Sequence, residues 1–219
     1  MPNQVRSFFL AFMVSIFMND TQLLAFNSSS AQKSLENALP YSKIIVVEGM
    51  PGAGKTSILA ALAEELEGTC ILLSEMNLEP NAPERNLPPK EKGAVFHKLW
   101  VERIEVLKTF KDPSLCFLLD RSPISNLAFT YALDSIEGTH NYPLHKKTFE
   151  DSFSNSPFEL ILVFDITPEI GLERRMLRGD KIPWPWSNLD FLKALRQFYQ
   201  DELPRYSQGK IKVIDTNKE

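Results

Sequence analysis

A glycine-rich stretch that ends in a lysine and a threonine gives the clearest chemical signal in the sequence. Residues 46–57 read VVEGMPGAGKTS and contain the pattern G-x-x-x-x-G-K-[ST]. A β-branched run precedes the pattern and helix-forming residues follow it, which is the setting in which it binds phosphate. Its glycines let backbone N–H groups turn toward an anion, and the start of the next helix adds positive charge. We therefore predict a nucleotide-binding cradle made of Gly49, Met50, Pro51, Gly52, Ala53, Gly54, Lys55, Thr56 and Ser57.

Two side chains of this cradle are suited to a nucleotide's terminal phosphates. In such loops the lysine, here Lys55, contacts the β- and γ-phosphates, and the next hydroxyl, here Thr56, ligates Mg²⁺. The variable positions of the cradle, Met50, Pro51 and Ala53, carry no positive charge. Further positive charge near a transferred phosphoryl group must then come from another part of the chain.

A segment about 120 residues further on contains three arginines that are suited to this task. In TPEIGLERRMLRG, Thr167 is placed as an N-cap and Pro168 as the first residue of a helix. Arg174 and Arg178 are four residues apart, so they share one face of that helix and are placed to close over phosphates together. The alternative is an ordinary solvated basic face.

Apolar runs and helical patterns alternate from residue 42 onward, which indicates an α/β fold with a parallel sheet and helices on both faces. Right-handed crossovers place the carboxyl ends of all strands at one edge of the sheet, where ligands bind. The predicted strands are 43–48, 69–75, 114–120, 158–166 and 210–215, and the predicted helices are 56–68, 94–110, 123–133, a helix from 167 and 189–203, with a loop at 77–93. Carboxylates near the strand ends are therefore expected at one site or its margins, some of them structural: Glu48, Glu75, Asp120, Asp165 and Asp215.

The bulk properties of the 219 residues fit one globular domain, which we place at residues 41–219. A net charge of −4 argues against a nucleic-acid polymer as partner. Residues 1–40 differ from the rest and form an N-terminal extension, whose apolar run at 8–18 is too short for a stable membrane span. We expect a cytoplasmic location, or an organelle matrix if this extension is a presequence.

Two classes of nucleotide-binding protein compete at this point. One is a kinase that moves the γ-phosphoryl group to a small acceptor, and the other is a switch or motor NTPase. A GTPase needs N-K-x-D after a strand, whereas here the chain stops at Asn217-Lys218-Glu219. A switch GTPase also usually carries D-x-x-G after its third strand, whereas Asp120 is followed by Arg121-Ser122-Pro123. These differences favour a kinase.

Three ordered segments resemble the thymidylate kinase and deoxynucleoside kinase superfamily: VVEGMPGAGKTS, LLDRSPIS at 118–125, and FDITPEIGLERRMLRG at 164–179. The resemblance implies a three-layer P-loop fold with strand order 2-3-1-4-5 and an arginine-bearing lid. It also implies ATP·Mg²⁺-dependent phosphorylation of a nucleoside or nucleoside monophosphate, and a possible homodimer.

The same resemblance implies roles for several side chains. Asp120 would hold Mg²⁺ with Thr56 or polarise the acceptor, and Arg121 would grip an acceptor oxygen. Glu75 ends the second strand, where the family keeps a carboxylate at the acceptor, and it is the candidate general base, with Glu79 as its rival. Arg103 matches an arginine that reaches the acceptor, although an exposed helical arginine is the alternative. The predicted catalytic residues are then Lys55, Glu75, Asp120, Arg121, Arg174 and Arg178.

The base-reading residues of neither subfamily are intact. The glycine-rich continuation after the E-P element is missing, and Phe96 and His97 stand where deoxynucleoside kinases keep a glutamine. Trp184, Trp186 and Tyr199 are candidates for stacking on a base, with core or lid packing as the alternative. The acceptor is therefore left open between a nucleoside, a nucleoside monophosphate and another small molecule. A regulatory or switch NTPase stays the alternative function.

Overall fold

The computed structural model describes residues 42–66, 69–76, 78, 82–87, 89–153, 158–206 and 210–217. The predicted extension at 1–40 and the rival carboxylate Glu79 lie outside these residues. The domain boundary near residue 41 therefore stays a prediction. Within the described ranges, no helix is both long enough and apolar enough to cross a bilayer.

Strands and helices alternate along the described part of the chain. The strands are β1 (Lys43–Gly49), β2 (Cys70–Leu73), β3 (Cys116–Asp120), β4 (Leu160–Asp165) and β5 (Ile211–Asp215). The α-helices are α1 (Lys55–Glu65), α2 (Pro89–Leu107), α3 (Pro123–Glu137), α4 (Tyr142–Phe153), α5 (Pro168–Leu177) and α6 (Leu189–Gln197). A 3₁₀ turn at Pro83–Asn86 precedes α2. A π-helical turn at Phe198–Glu202 and a 3₁₀ turn at Leu203–Arg205 follow α6.

The five strands form one parallel sheet in the order β2-β3-β1-β4-β5, which confirms the predicted fold and strand order. β1 lies at the centre, with Val47 opposite Asp120 of β3 and Glu48 opposite Val163 of β4. Because the strands are parallel, the P-loop after β1 and the polar residues after β3 leave the sheet at the same edge.

Burial explains why the central strands read as continuous apolar runs. Ile45, Val46 and Leu118 are fully inaccessible, because helices cover both faces of the sheet. The edge strand β5 is less covered, and Val213 is 57% exposed. The rigid centre of the sheet therefore supports the segments that follow β1 and β3.

The helices depart from the predicted ones in three places. α2 begins at Pro89, inside the segment predicted as a loop. α4 was not predicted; it begins where the backbone N–H of Tyr142 donates to Asp134 Oδ2 of α3 at 2.6 Å. The helix predicted at 189–203 ends as α-helix at Gln197 and continues as a π turn. Pro204, which has no N–H to donate, follows that turn.

Candidate active site

The P-loop approaches its neighbours so closely that two of its glycines have no room for a side chain. A Cβ on Gly49 would lie 2.3 Å from the carbonyl oxygen of Phe164, and Gly49 has φ +122°. A Cβ on Gly52 would lie 2.3 Å from the carbonyl oxygen of Gly171, at φ +83°. These contacts press the loop against the end of β4 and against α5, which sets the path of its backbone N–H groups.

Lys55 is the first residue of α1, and its ammonium group folds back under the loop. Its Nζ donates to the carbonyl oxygens of Gly49, at 3.0 Å, and Met50, at 2.8 Å. Burial and the nearby Arg121 guanidinium lower the pKa of Lys55 to about 7, although Asp120, Glu48 and Glu75 act in the opposite direction. An anion placed in the cradle would favour the protonated form.

Thr56 and Asp120 join the P-loop to the end of β3. The Thr56 hydroxyl donates to Asp120 Oδ2 at 2.9 Å. The other carboxylate oxygen, Oδ1, is buried and has no hydrogen-bond partner among the described residues. A hydroxyl beside a carboxylate with a spare oxygen is a donor set that suits Mg²⁺, which takes one or two protein oxygens and completes its shell with phosphate and water. The residues present therefore fit the metal that the P-loop implies.

Arg121 follows Asp120 and occupies a backbone conformation that only glycine adopts easily. Its φ is +73°, and its backbone N–H donates to the carbonyl oxygen of Val47 at 3.0 Å. Its Nε lies 2.7 Å from Glu75 Oε1. Burial by itself lowers the pKa of Arg121, but Glu75 and the other nearby acidic groups outweigh burial and raise it. The guanidinium is thus held as a cation beside a carboxylate.

A cavity of about 460 Å³ opens next to this ion pair. Both members of the pair, Glu75 and Arg121, line it, and most of the remaining wall is aromatic or apolar. Its volume is in the range of small-molecule sites, and apolar walls with a few polar groups are typical of them. The other lining residues are Met76, Lys92, Gly93, Phe96, Trp100, Ser125, Asn126, Phe129, Trp186, Leu195 and Tyr199.

The three aromatic residues considered for base stacking have different positions. Trp186 lines the cavity and packs on Phe129, with 5.4 Å between ring centroids. Tyr199 also reaches the cavity wall, but it is buried and its hydroxyl donates to Glu48. Trp184 is 55% exposed and is not among the cavity-lining residues. Of the three, Trp186 and Tyr199 reach the cavity and Trp184 does not, so stacking on a base stays a prediction.

Arg103 belongs to α2, and its guanidinium contacts the segment that follows β2, outside the cavity lining. Its Nη1 donates to the carbonyl oxygen of Ser74 at 3.0 Å, and its guanidinium lies 5.0 Å from the centroid of the Trp100 ring. Both neighbours flank the cavity, since Glu75 follows Ser74 and Trp100 belongs to the wall. Arg103 thus supports the segment that carries Glu75 in the unliganded protein.

The three arginines of the predicted lid sit at the end of α5, and this helix packs on the P-loop. A Cβ on Gly171 would lie 2.8 Å from the carbonyl oxygen of Pro51, so this face of α5 is turned toward the cradle. Arg174 and Arg178 follow Gly171 at three and seven residues, which places them along the same face. Arg178 and Arg175 form ion pairs with Asp180. Among the described residues, no hydrogen bond or ion pair joins Arg174 or Arg178 to the P-loop, so the lid stays a prediction.

The strand-ending carboxylates have three kinds of surroundings, of which Glu48 has its own: it is buried and accepts hydrogen bonds from side-chain hydroxyls. Glu75 and Asp120 stand at the cavity and the P-loop. Asp165 instead accepts two hydrogen bonds from Arg196, both at 2.7 Å, and Asp215 accepts from the backbone and side chain of Asn217. Asp165 therefore connects α6 to the sheet, and Asp215 stabilises the turn that follows β5.

Sequence reasoning missed the face of α3 that forms one wall of the cavity. Ser122 is the N-cap of this helix, and Ser125, Asn126 and Phe129 follow at helical spacing. Asn126 Nδ2 is buried and has no hydrogen-bond partner among the described residues. The available signal was the i, i+3, i+4, i+7 spacing after Ser122, which places these residues on one face.

Comparison with known proteins bears on the resemblance noted in the sequence. No family model matches the chain. A probable thymidylate kinase of Archaeoglobus fulgidus is 28% identical over 184 residues, which cover 80% of this chain and 87% of that protein.

Two solved structures of a deoxyadenosine kinase from M. mycoides share the fold. The one with bound dATP has a TM-score of 0.60 at 12% identity and covers 81% of this chain and 92% of its own. The one with the products dCMP and a flexible dCDP has a TM-score of 0.57 at 15% identity, with coverage of 80% and 92%. The predicted resemblance is confirmed as a distant one: in sequence the chain is similar to a probable thymidylate kinase, and in fold to a deoxyadenosine kinase.

Proposed function

We propose that the protein transfers the γ-phosphoryl group of ATP to a nucleoside or a nucleoside monophosphate. The observation that carries this proposal is the adjacency of two sites at the end of β3. Asp120 accepts from Thr56 of the P-loop, and the next residue, Arg121, lines the 460 Å³ cavity. A donor bound in the cradle and an acceptor bound in the cavity would therefore meet at one dipeptide.

On the donor side, the P-loop backbone and Lys55 would hold the phosphates. Thr56 and Asp120 would hold Mg²⁺, which neutralises phosphate charge when bound. Lys55 would release the carbonyl oxygens of Gly49 and Met50 and turn to the phosphates. Arg174 and Arg178 would add positive charge over the transferred group when α5 and the chain after it close.

On the acceptor side, Glu75 and Arg121 would act as a pair. Glu75 is 47% exposed at the cavity, so its carboxylate can accept a proton from an acceptor hydroxyl. Arg121 would orient an acceptor oxygen through its remaining N–H groups. Phe129 and Trp186 would enclose a planar base, and Asn126 offers an unpaired amide N–H to its edge. Arg103 would reach the acceptor only after leaving Ser74.

The test is a coupled ADP-release assay with ATP and Mg²⁺ over deoxynucleosides, nucleoside monophosphates and unrelated small alcohols. We expect ADP release to depend on one class of nucleoside or nucleotide. We also expect Arg121→Lys to reduce that activity at least tenfold, because a lysine cannot form the same directed pair. Arg205→Lys, at an arginine that is 65% exposed, is the matched control and should leave activity unchanged.

ATP turnover at a rate that no acceptor changes would overturn this function and favour an NTPase.

Use of ATP and two unpaired thiols, Cys70 and Cys116, support the cytoplasm as the location, or an organelle matrix if residues 1–40 are a presequence. The homodimer implied by the resemblance is proposed as well, and light scattering would test it.

A further inference from the structure

Glu48 is a fully buried carboxylate that phosphate binding does not use. It stands near the end of β1, directly before Gly49 of the P-loop, and its exposed fraction is 0%. Burying a carboxylate is costly unless it is hydrogen-bonded, so its partners should explain its presence. The net pKa of Glu48 is raised, because burial outweighs the hydrogen bonds from Ser122, Ser125 and Tyr199 and the charge of Arg121, which act to lower it.

Three hydroxyl groups from distant parts of the chain donate to Glu48. Ser122 donates to Oε1 at 2.6 Å, and it also accepts from the backbone N–H of Ile124. Ser125 donates to Oε2 at 2.6 Å, and Tyr199 donates to the same oxygen at 3.1 Å. Each hydroxyl has a single hydrogen, and each directs it at Glu48. An ionised carboxylate can only accept, so this arrangement sets the directions of all three hydroxyls.

The direction of the Ser125 hydroxyl matters because Arg121 uses its other side. Arg121 Nη1 donates to Ser125 Oγ at 3.3 Å. This contact is available because the hydroxyl hydrogen of Ser125 points to Glu48, which leaves a lone pair for the guanidinium. A chain of hydrogen bonds thus runs from Arg121 through Ser125 to Glu48.

Arg121 needs such support, since its backbone is strained. A non-glycine residue at φ +73° is strained and persists when its surroundings over-determine it. Three contacts hold it here: the Val47 carbonyl on its backbone N–H, Glu75 on Nε, and Ser125 on Nη1. Of these, Glu75 is the contact that an acceptor would compete for, so Ser125 is the side-chain partner of the guanidinium that persists during binding.

We propose that Glu48 is a positioning residue that holds the Arg121 guanidinium toward the acceptor cavity through Ser125. It thereby ties the acceptor-side arginine to the strand that carries the phosphate cradle. Tyr199 completes the carboxylate's donors from the π turn that follows α6. The consequence for catalysis rests on the proposed function, whereas the holding of Arg121 is a property of the unliganded protein.

The first experiment follows the Arg121 side chain directly by NMR of protein labelled with ¹⁵N-arginine. The Nε–H signal of Arg121 is identified by its absence in Arg121→Lys. In Glu48→Gln the amide NH₂ cannot accept a hydrogen bond, and the neutral amide oxygen accepts more weakly than a carboxylate oxygen, so the bond from Ser125 is lost or weakened in either orientation of the amide. We expect the exchange of the Arg121 Nε–H with water to rise at least tenfold in Glu48→Gln and in Ser125→Ala.

Two further variants separate positioning from general damage. The double variant Glu48→Gln/Ser125→Ala should exchange no faster than either single variant, because both act through one chain of contacts. Glu102→Gln, at an exposed glutamate of α2, should match the parent protein. If Glu48→Gln does not fold, Ser125→Ala and Tyr199→Phe carry the test. An Arg121 signal that is unchanged by Glu48→Gln, or an additive double variant, would overturn the proposal.

The second experiment measures phosphorylation of deoxyadenosine and thymidine monophosphate as acceptor probes. Glu48→Gln should lower kcat/KM for the acceptor at least tenfold, while the KM for ATP changes less than about threefold. A loss confined to the ATP side would contradict an action through Arg121. If neither probe is phosphorylated, the proposed function fails for these acceptors, and the NMR experiment still decides the positioning role.

Discussion

The packing of α5 against the P-loop can be tested with a single methyl group at Gly171. A Cβ at this position would lie 2.8 Å from the carbonyl oxygen of Pro51 and 3.4 Å from Ile166 Cγ2. The new Cβ is attached to the backbone of α5 and the Pro51 carbonyl oxygen is itself a backbone atom, so neither can move aside as a flexible side chain does. Gly171→Ala must therefore push α5 away from the cradle by about 0.6 Å to restore an ordinary contact of 3.4 Å.

The expected energies come from two opposing effects. Replacing glycine with alanine inside a helix stabilises the helix by up to about 1 kcal/mol. Overpacking of a close contact costs about 1–3 kcal/mol. The matched control is Gly93→Ala in α2, where the new Cβ would lie 3.6 Å from His145 Cε1 and meets no clash. We expect Gly171→Ala to be less stable than Gly93→Ala by about 1–3 kcal/mol, the cost of the overlap.

Urea denaturation measures these free energies of unfolding, and calorimetry measures the affinity for ATP. If the strain falls on the P-loop and must be relieved before ATP binds, affinity drops about 5- to 150-fold in Gly171→Ala. Gly93→Ala should bind ATP as the parent protein does, since Gly93 faces the cavity rather than the cradle. Gly171→Ala that is stabilised like Gly93→Ala and binds ATP normally would refute the reasoning.

Three further predictions concern charged groups. Lys55 has a pKa of about 7 against an ordinary 10.5, so between these values the unfolded chain binds more protons and this group makes stability rise with pH. At pH 8, ATP binding should therefore take up close to one proton, which calorimetry in buffers of different ionisation enthalpy detects. No proton uptake would contradict the assignment. Asp180→Asn frees Arg175 and Arg178 and should strengthen ATP binding about two- to fivefold at low salt, whereas weaker binding would mean that the ion pair holds the lid in its active form. Arg196→Met leaves Asp165 without its two hydrogen bonds and should lower the free energy of unfolding, measured in urea, by about 1–3 kcal/mol. Because Arg196 is outside the cavity lining, kcat/KM should be unchanged, and a loss of activity in the folded variant would contradict this.

Local sequence pattern was sufficient for the donor half of the candidate site. The spacing of glycines, Lys55 and Thr56 within eight residues defines the P-loop, because a phosphate cradle is made mostly from consecutive backbone groups. The strands could also be predicted locally, because a strand that is buried on both faces of a sheet reads as a continuous apolar run. The strand order came from the resemblance, and the structure confirms it.

The acceptor half depends on contacts between residues far apart in the chain. The cavity is assembled from the end of β2, from α2 and α3, and from the segment around α6. No local sequence pattern marks the unpaired amide of Asn126, because its place in the cavity wall depends on which face α3 turns toward the cavity after folding. The unpredicted helix α4 begins where the backbone N–H of Tyr142 donates to Asp134 of α3, and helix periodicity does not record a hydrogen bond to another element.

Glu48 shows the division most clearly. Its position before the first glycine was visible in the sequence, within the segment VVEGMPGAGKTS that contributes to the resemblance. Its partners Ser122, Ser125 and Tyr199 lie 74, 77 and 151 residues away, and crossovers of the chain bring them to one buried carboxylate. Sequence periodicity reports which residues are buried, whereas hydrogen bonds between buried side chains depend on how the elements pack in three dimensions.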